Sequence, residues 1–173
     1  MILGPAPDFT AIAALGPGEA DVRDVSLGDY AGRWLVLFFY PRDFTPVCPT
    51  EVKELSRRAR ELSDLRAEIL GVSVDDVATH RRWIAEVLGP IAFPLAADPS
   101  RAMSRAYAAL LDGEGVATRA TFIVDPAGVI QYAAFHNLEV GRSPSEILRV
   151  LEALRTHERV PAEWRRGDPT LGR

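Results

Sequence analysis

Trp34-Leu35-Val36-Leu37-Phe38-Phe39-Tyr40-Pro41-Arg42-Asp43-Phe44-Thr45-Pro46-Val47-Cys48-Pro49-Thr50-Glu51 decides the fold class and most of the chemistry. Its first seven residues form an unbroken apolar run of strand length behind the turn-like Tyr30-Ala31-Gly32-Arg33, which predicts a strand buried on both faces. Pro41 ends it. Beyond Cys48, the residues Val52, Leu55, Ala59, Leu62 and Leu65 recur at helical spacing, with Arg57, Arg58, Glu61 and Asp64 on other faces, so an amphipathic helix begins at the cysteine. Working outward, Ile69 to Val74 predicts a second strand, and 77–88 and 100–110 two further helices. Strands at 121–124 and 129–135 flank the turn Asp125-Pro126-Ala127-Gly128, and 145–154 predicts a last helix. Strands alternating with helices imply an α/β fold.

The chain has 173 residues, 47% apolar and 25% charged, proportions that suit one domain with a proper core. We expect a single domain over 1–173, with an extended polar tail from about residue 157. A net charge of -4 with interleaved signs argues against nucleic-acid and anionic-membrane partners. The start, Met1-Ile2-Leu3-Gly4-Pro5, has neither a basic segment nor a long apolar one, and a reducing cytoplasm is the expected location. His80, His136 and His157 lie far apart without thiol or carboxylate companions at ligand spacing, so surface or packing roles are expected and no metal site. Gly16-Pro17-Gly18 and Asp112-Gly113-Glu114-Gly115 lack the lysine of a phosphate cradle.

Cys48 is the only cysteine, which excludes an internal disulfide and a two-sulfur redox pair. A free cysteine is about 7% thiolate at pH 7.4, and a helix N-terminus or a guanidinium favours the anion. Complete ionisation would gain only about tenfold in reactivity. Catalysis by this sulfur therefore needs further groups around it. Taken singly, those groups have ordinary readings: Thr45 as a helix cap, Glu51 as a first-turn acid, Arg119 as a solvated residue beside a strand.

The spacing Pro41-x-x-x-Thr45-x-x-Cys48, followed by Pro49-Thr50-Glu51, resembles the active-site signature of peroxiredoxins, in the group that includes thioredoxin peroxidase and the peroxidase component of alkyl hydroperoxide reductase. Gly71-Val72-Ser73-Val74-Asp75, His80 with Trp83, Pro94-Leu95-Ala96, Arg119 before Phe122-Ile123-Val124, and Val140-Gly141-Arg142-Ser143 extend the resemblance in order. It implies a thioredoxin-like fold, a central mixed sheet flanked by helices. It also implies a thiol-dependent peroxidase acting on hydrogen peroxide, with organic hydroperoxides as further candidates.

In that reading Cys48 attacks a peroxide oxygen and becomes a sulfenic acid. Thr45, the amides of Val47 and Cys48, and Arg119 hold the two oxygens. Pro41 walls the pocket, Glu51 orients Arg119, and Arg142 is a further candidate for positive charge near the sulfur. No metal or organic cofactor is implied. Homodimers, or rings of dimers, are.

One departure bears on the cycle. Relatives with this signature carry a second, resolving cysteine in a C-terminal Val-Cys-Pro, and here Val160 stands in that place, within Arg159-Val160-Pro161. We therefore expect an external donor, either a small thiol or a thioredoxin-like or glutaredoxin-like protein, to attack the sulfenic acid. A rival reading from another class is a redox sensor or holdase chaperone that uses the same oxidisable cysteine. A dithiol–disulfide oxidoreductase is nearly excluded by the single sulfur.

Overall fold

A computed structural model describes residues Met1 to Arg173, in two compact units, 1–142 and 143–173. The larger holds a seven-stranded mixed sheet. Strands β1 (Thr10–Ala14), β2 (Val22–Ser26), β3 (Trp34–Phe39), β4 (Ala67–Ser73), β5 (Leu95–Ala97), β8 (Arg119–Val124) and β9 (Ile130–His136) lie in the order β2-β1-β5-β4-β3-β8-β9. A separate two-stranded ribbon joins β6 (Leu110–Leu111) to β7 (Val116–Ala117).

The predicted central strand is β3, and all six of its residues are buried. Its odd-numbered residues Leu35, Leu37 and Phe39 enter a cluster with Leu70, Val72, Tyr107 and Phe122. On the other face Phe38 meets Phe93 edge-on at 5.6 Å and Tyr40 stacks on Trp83 at 5.7 Å. Burial on both faces explains the unbroken apolar run, since each such side chain contributes about 1.5–3 kcal/mol. Strand β4 runs parallel to β3, and β5 parallel to β4. Helices α1 (Cys48–Arg57) and α2 (Ala59–Asp64) connect the first pair, and α3 (Val77–Trp83) with a π turn over Ile84–Leu88 connects the second.

Three expectations are corrected. The helix from Cys48 to Leu65 is interrupted at Arg58, whose backbone flattens to φ -91°, ψ 0°. The helix expected over 100–110 is α4, confined to Ala102–Ala106, because Ala108 adopts φ 54° and a left-handed residue ends helical propagation. Strands β1, β2 and β5 have no counterpart among the predicted elements. The paired strands at 121–124 and 129–135 are present, each a residue or two displaced.

Antiparallel pairing of β8 with β3 sets Phe38 opposite Thr121. The N-terminal end of β8 therefore lies beside the C-terminal end of β3, from which residues 41–47 lead into α1. That end of the sheet carries the chemistry.

The smaller unit is built on α5 (Pro144–Arg155), capped by Ser143, whose hydroxyl accepts from the Glu146 amide. The segment after 157 is irregular but tied: the Arg159 amide donates to the Gly172 carbonyl, the Leu171 amide returns to Arg159, and buried Trp164 donates its indole N–H to Asp168. No helix is long and apolar enough to cross a membrane.

Candidate active site

Cys48 is the first residue of α1 and is wholly buried. Val47 occupies the cap position and no side chain caps the helix. The expected cap, Thr45, instead donates its hydroxyl to the Arg42 carbonyl at 2.9 Å. Of the first amides of α1, Pro49 has no N–H and those of Thr50 and Glu51 donate to the Val47 carbonyl at 3.0 and 3.4 Å, so the N–H left without an intrahelical acceptor is that of Cys48 itself.

Alternation along β8 puts Arg119 and Thr121 on one face and Ala120 and Phe122 on the other. Arg119, the first residue of that strand, is 2% exposed. Its Nη1 lies 3.3 Å from Cys48 Sγ and 2.7 Å from Glu51 Oε2, and its Nε donates to the Leu138 carbonyl at 2.8 Å. Glu51 stands one helical turn after the cysteine, on the same face of α1, and is also buried.

A second guanidinium completes the cluster. Arg142 holds Glu51 through its backbone amide (2.8 Å), Nε (2.9 Å) and Nη2 (2.8 Å). Its Nη1 donates to the carbonyls of Phe39 and Ala120, and its planar group lies 4.9 Å over the Phe38 ring. Sequence reading gave Arg142 only a marginal place; the structure puts it at the centre of the network. Burial on its own would raise the Glu51 pKa, but the hydrogen bonds and charge of Arg142, with the charge of Arg119, hold the carboxyl below its usual value.

Pro41 is buried at the end of β3. Thr45, half-exposed, sits on the loop with its hydroxyl turned to Arg42 and makes no hydrogen bond to the sulfur. The structure thus brings Cys48, Glu51, Arg119 and Arg142 into direct contact, and places Pro41 and Thr45 on the adjoining loop.

Beneath that loop lies a polar cluster that sequence reading missed. Asp43, 6% exposed, accepts from the Tyr40 hydroxyl (2.9 Å) and pairs with His80 Nδ1 (2.7 Å). Its amide donates to Asp75 Oδ2 at 2.9 Å. Burial raises the Asp43 pKa, against the hydrogen bond and charge of His80. The only signal in the sequence was a carboxylate inside the motif and a histidine within the resemblance; their separation of 37 positions encodes no pairing.

Comparison with known proteins agrees with this geometry. Residues 2–133 match the AhpC/TSA family. The chain is 45% identical to the rubredoxin-operon relative from Clostridium pasteurianum, over 96% of each sequence. It is 44% identical to Peroxiredoxin-2 of Macaca fascicularis, over 96% of this chain and 87% of that one. The crystal structure of reduced Plasmodium vivax 2-Cys peroxiredoxin superposes with a TM-score of 0.92 at 32% identity, covering 98% of this chain and 91% of that one. A lone sulfur against an arginine, at the end of a thioredoxin-like sheet, therefore has its explanation: the chain belongs to the AhpC/TSA family of peroxiredoxins, thiol-dependent peroxidases.

Proposed function

We propose that the chain reduces hydrogen peroxide, and organic hydroperoxides as further substrates, by a one-cysteine cycle centred on Cys48. The observation that carries this reading is Arg119 Nη1, which lies against Cys48 Sγ and is fixed there by Glu51.

The sulfur attacks the terminal oxygen of the hydroperoxide. An S–O bond forms as the O–O bond breaks, sulfur gives up two electrons, and the other oxygen leaves as hydroxide or alkoxide that takes a proton. Negative charge builds on that leaving oxygen. Arg119 Nη2 makes none of the bonds described above and can meet it, together with the amides of Val47 and Cys48. Because the Thr45 proton is committed to Arg42, its hydroxyl oxygen is left as an acceptor and suits the protonated oxygen of the substrate. Pro41 walls the approach and Glu51 holds both guanidiniums in orientation.

With one sulfur in the chain, the sulfenic acid is resolved from outside. A donor thiol displaces water to give a mixed disulfide at Cys48, and a second donor thiol releases Cys48 with formation of the donor disulfide. Small thiols and thioredoxin-like or glutaredoxin-like proteins fit that role, and dependence on reduced thiols favours the cytoplasm. Self-association is proposed too, because β9 is an edge strand of the sheet with Phe135 exposed on it; sedimentation of the reduced protein tests it.

The decisive experiment follows pre-reduced protein mixed with hydrogen peroxide by stopped-flow tryptophan fluorescence. Rapid stoichiometric consumption is expected, lost in Cys48→Ser and slowed by two or more orders of magnitude in Arg119→Ala. A wild-type rate no faster than that of a free thiolate would refute it.

A further inference from the structure

The amide and both carboxylate oxygens of Asp43 are held by three different parts of the fold. Tyr40 at the end of β3 and His80 in α3 take its carboxylate, and Asp75, which follows β4, takes its amide. These partners are themselves fixed. His80 is fully buried with Nε2 3.2 Å from the Ala96 carbonyl in β5, Asp75 accepts from Ser73 at 2.7 Å, and the Tyr40 ring stacks on Trp83.

The next residue shows what this anchoring withstands. Phe44 adopts φ 56°, a left-handed conformation that is unfavourable for a bulky side chain and persists only where the surroundings over-determine it. The Phe44 ring is 41% exposed and covered on one side by Arg82, 5.0 Å from its centroid, which is too weak a contact to impose that backbone. Immediately afterwards, the Thr45 hydroxyl closes the turn on Arg42. The bend that delivers Thr45, Val47 and the first turn of α1 to the sulfur is thus strained, and its fixed point is Asp43.

We propose that the buried Asp43–His80 pair is the anchor that positions the 41–47 loop over Cys48, making both side chains positioning residues for peroxide reduction. Neither touches the sulfur. They act by keeping Thr45 and the amides of Val47 and Cys48 where the peroxide oxygens bind, and a misplacement of about 1 Å there costs on the order of a hundredfold in rate. The proposal rests on the peroxidase reading above.

The test uses two reporters on the full chain: the stopped-flow rate with hydrogen peroxide, and the rate of Cys48 alkylation by iodoacetamide, which reads access to a sulfur that is wholly buried when the loop is closed. In Asp43→Asn and His80→Gln, peroxide reactivity should fall at least tenfold while alkylation rises several-fold. Hydrogen exchange should accelerate at amides 42–48 and not in β3 or β8. Asp43→Ala should exceed Asp43→Asn in each effect; should the alanine variant not fold, the asparagine variant alone decides. Val25→Ala, a core truncation in β2 at the far edge of the sheet, should move neither rate.

Peroxide and alkylation rates within twofold of wild type in both Asp43→Asn and His80→Gln would overturn the anchor, as would the same pair of changes in Val25→Ala. If wild type itself lacks a fast peroxide reaction, the peroxidase reading fails. The contrast in alkylation and exchange still shows whether Asp43 and His80 hold the loop.

Discussion

Glu51→Gln is the most exacting perturbation, because shape is kept and only charge is removed. In the wild type one carboxylate meets Arg119 at 2.7 Å and Arg142 through three donors at 2.8–2.9 Å, with both side-chain pairs 3% exposed. Charge centres about 4 Å apart attract by roughly 4 kcal/mol at the effective dielectric that reproduces protein data, and that attraction offsets the desolvation of two guanidiniums. Removing one member of such a buried pair costs about 3–5 kcal/mol. The carbonyls of Leu138, Phe39 and Ala120 still accept from the arginines, so we expect the lower end, about 3 kcal/mol, or a Tm drop of about 6–12 °C for a chain of this size.

The gap should depend on pH in one direction. The folded-state pKa of Glu51 lies below its ordinary value of 4.5, so its contribution is present above that value and is lost as pH falls below it. Urea denaturation of both proteins should show a gap of about 3 kcal/mol between pH 6 and 7 that narrows below pH 4.5. A gap under about 1 kcal/mol at pH 7, the worth of a single neutral hydrogen bond, or one unchanged by acid, would refute the claim that the carboxylate's charge compensates the buried guanidiniums.

Intact-mass measurement during a peroxide titration without donor should show one, then two added oxygen atoms on Cys48, and non-reducing electrophoresis should show no stable disulfide between chains. A thiol donor supplied beforehand should suppress the second oxygen. Gly71→Ala would place a Cβ 2.8 Å from Leu95 Cδ2 and Phe38 Cζ, and the overpacking should cost about 1–3 kcal/mol in chemical denaturation. Asp76→Ala removes the cap of α3, where the side chain accepts from the Thr79 amide at 2.8 Å, and should cost about 1 kcal/mol.

Legibility in the sequence followed how local each determinant is. Strand β3 announces itself because burial on both faces demands six consecutive apolar residues, and the cysteine-led helix because its buried positions repeat at helical spacing. The break at Arg58 gives no warning: neither glycine nor proline marks it, and Val52, Leu55 and Leu62 stay buried across it. Ala108 likewise carries no turn signal, although its left-handed backbone ends α4. Strands β1 and β5 are rich in alanine, Thr10-Ala11-Ile12-Ala13-Ala14 and Leu95-Ala96-Ala97, a residue of low strand propensity. Pairing within the sheet defines them. The contacts of the site span 68 positions between Glu51 and Arg119, and 91 between Glu51 and Arg142. Spacing cannot encode such distances, and only the family resemblance brought Glu51, Arg119 and Arg142 together in advance.

The charge arrangement at the sulfur explains why a buried cysteine can be reactive. Glu51 neutralises one of the two guanidiniums it contacts, leaving about one positive charge in a cluster whose Arg119 Nη1 lies 3.3 Å from Cys48 Sγ. That surplus complements the negative charge that the proposed reaction passes through the sulfur and its leaving oxygen. In the proposed cycle the negative charge moves from sulfur to the leaving oxygen as the O–O bond breaks, a shift the same guanidinium can follow without turning, because Leu138 and Glu51 already fix it. Preorganised donors that need not reorient are worth more in a dry site than in water. The arrangement therefore requires Arg119 to be immobile, and Glu51, held in turn by three donors of Arg142, is what immobilises it. An Arg142→Ala variant should accordingly lose peroxide reactivity with the sulfur and Arg119 both present. Unchanged reactivity in that variant would mean that Leu138 and Glu51 orient Arg119 without help.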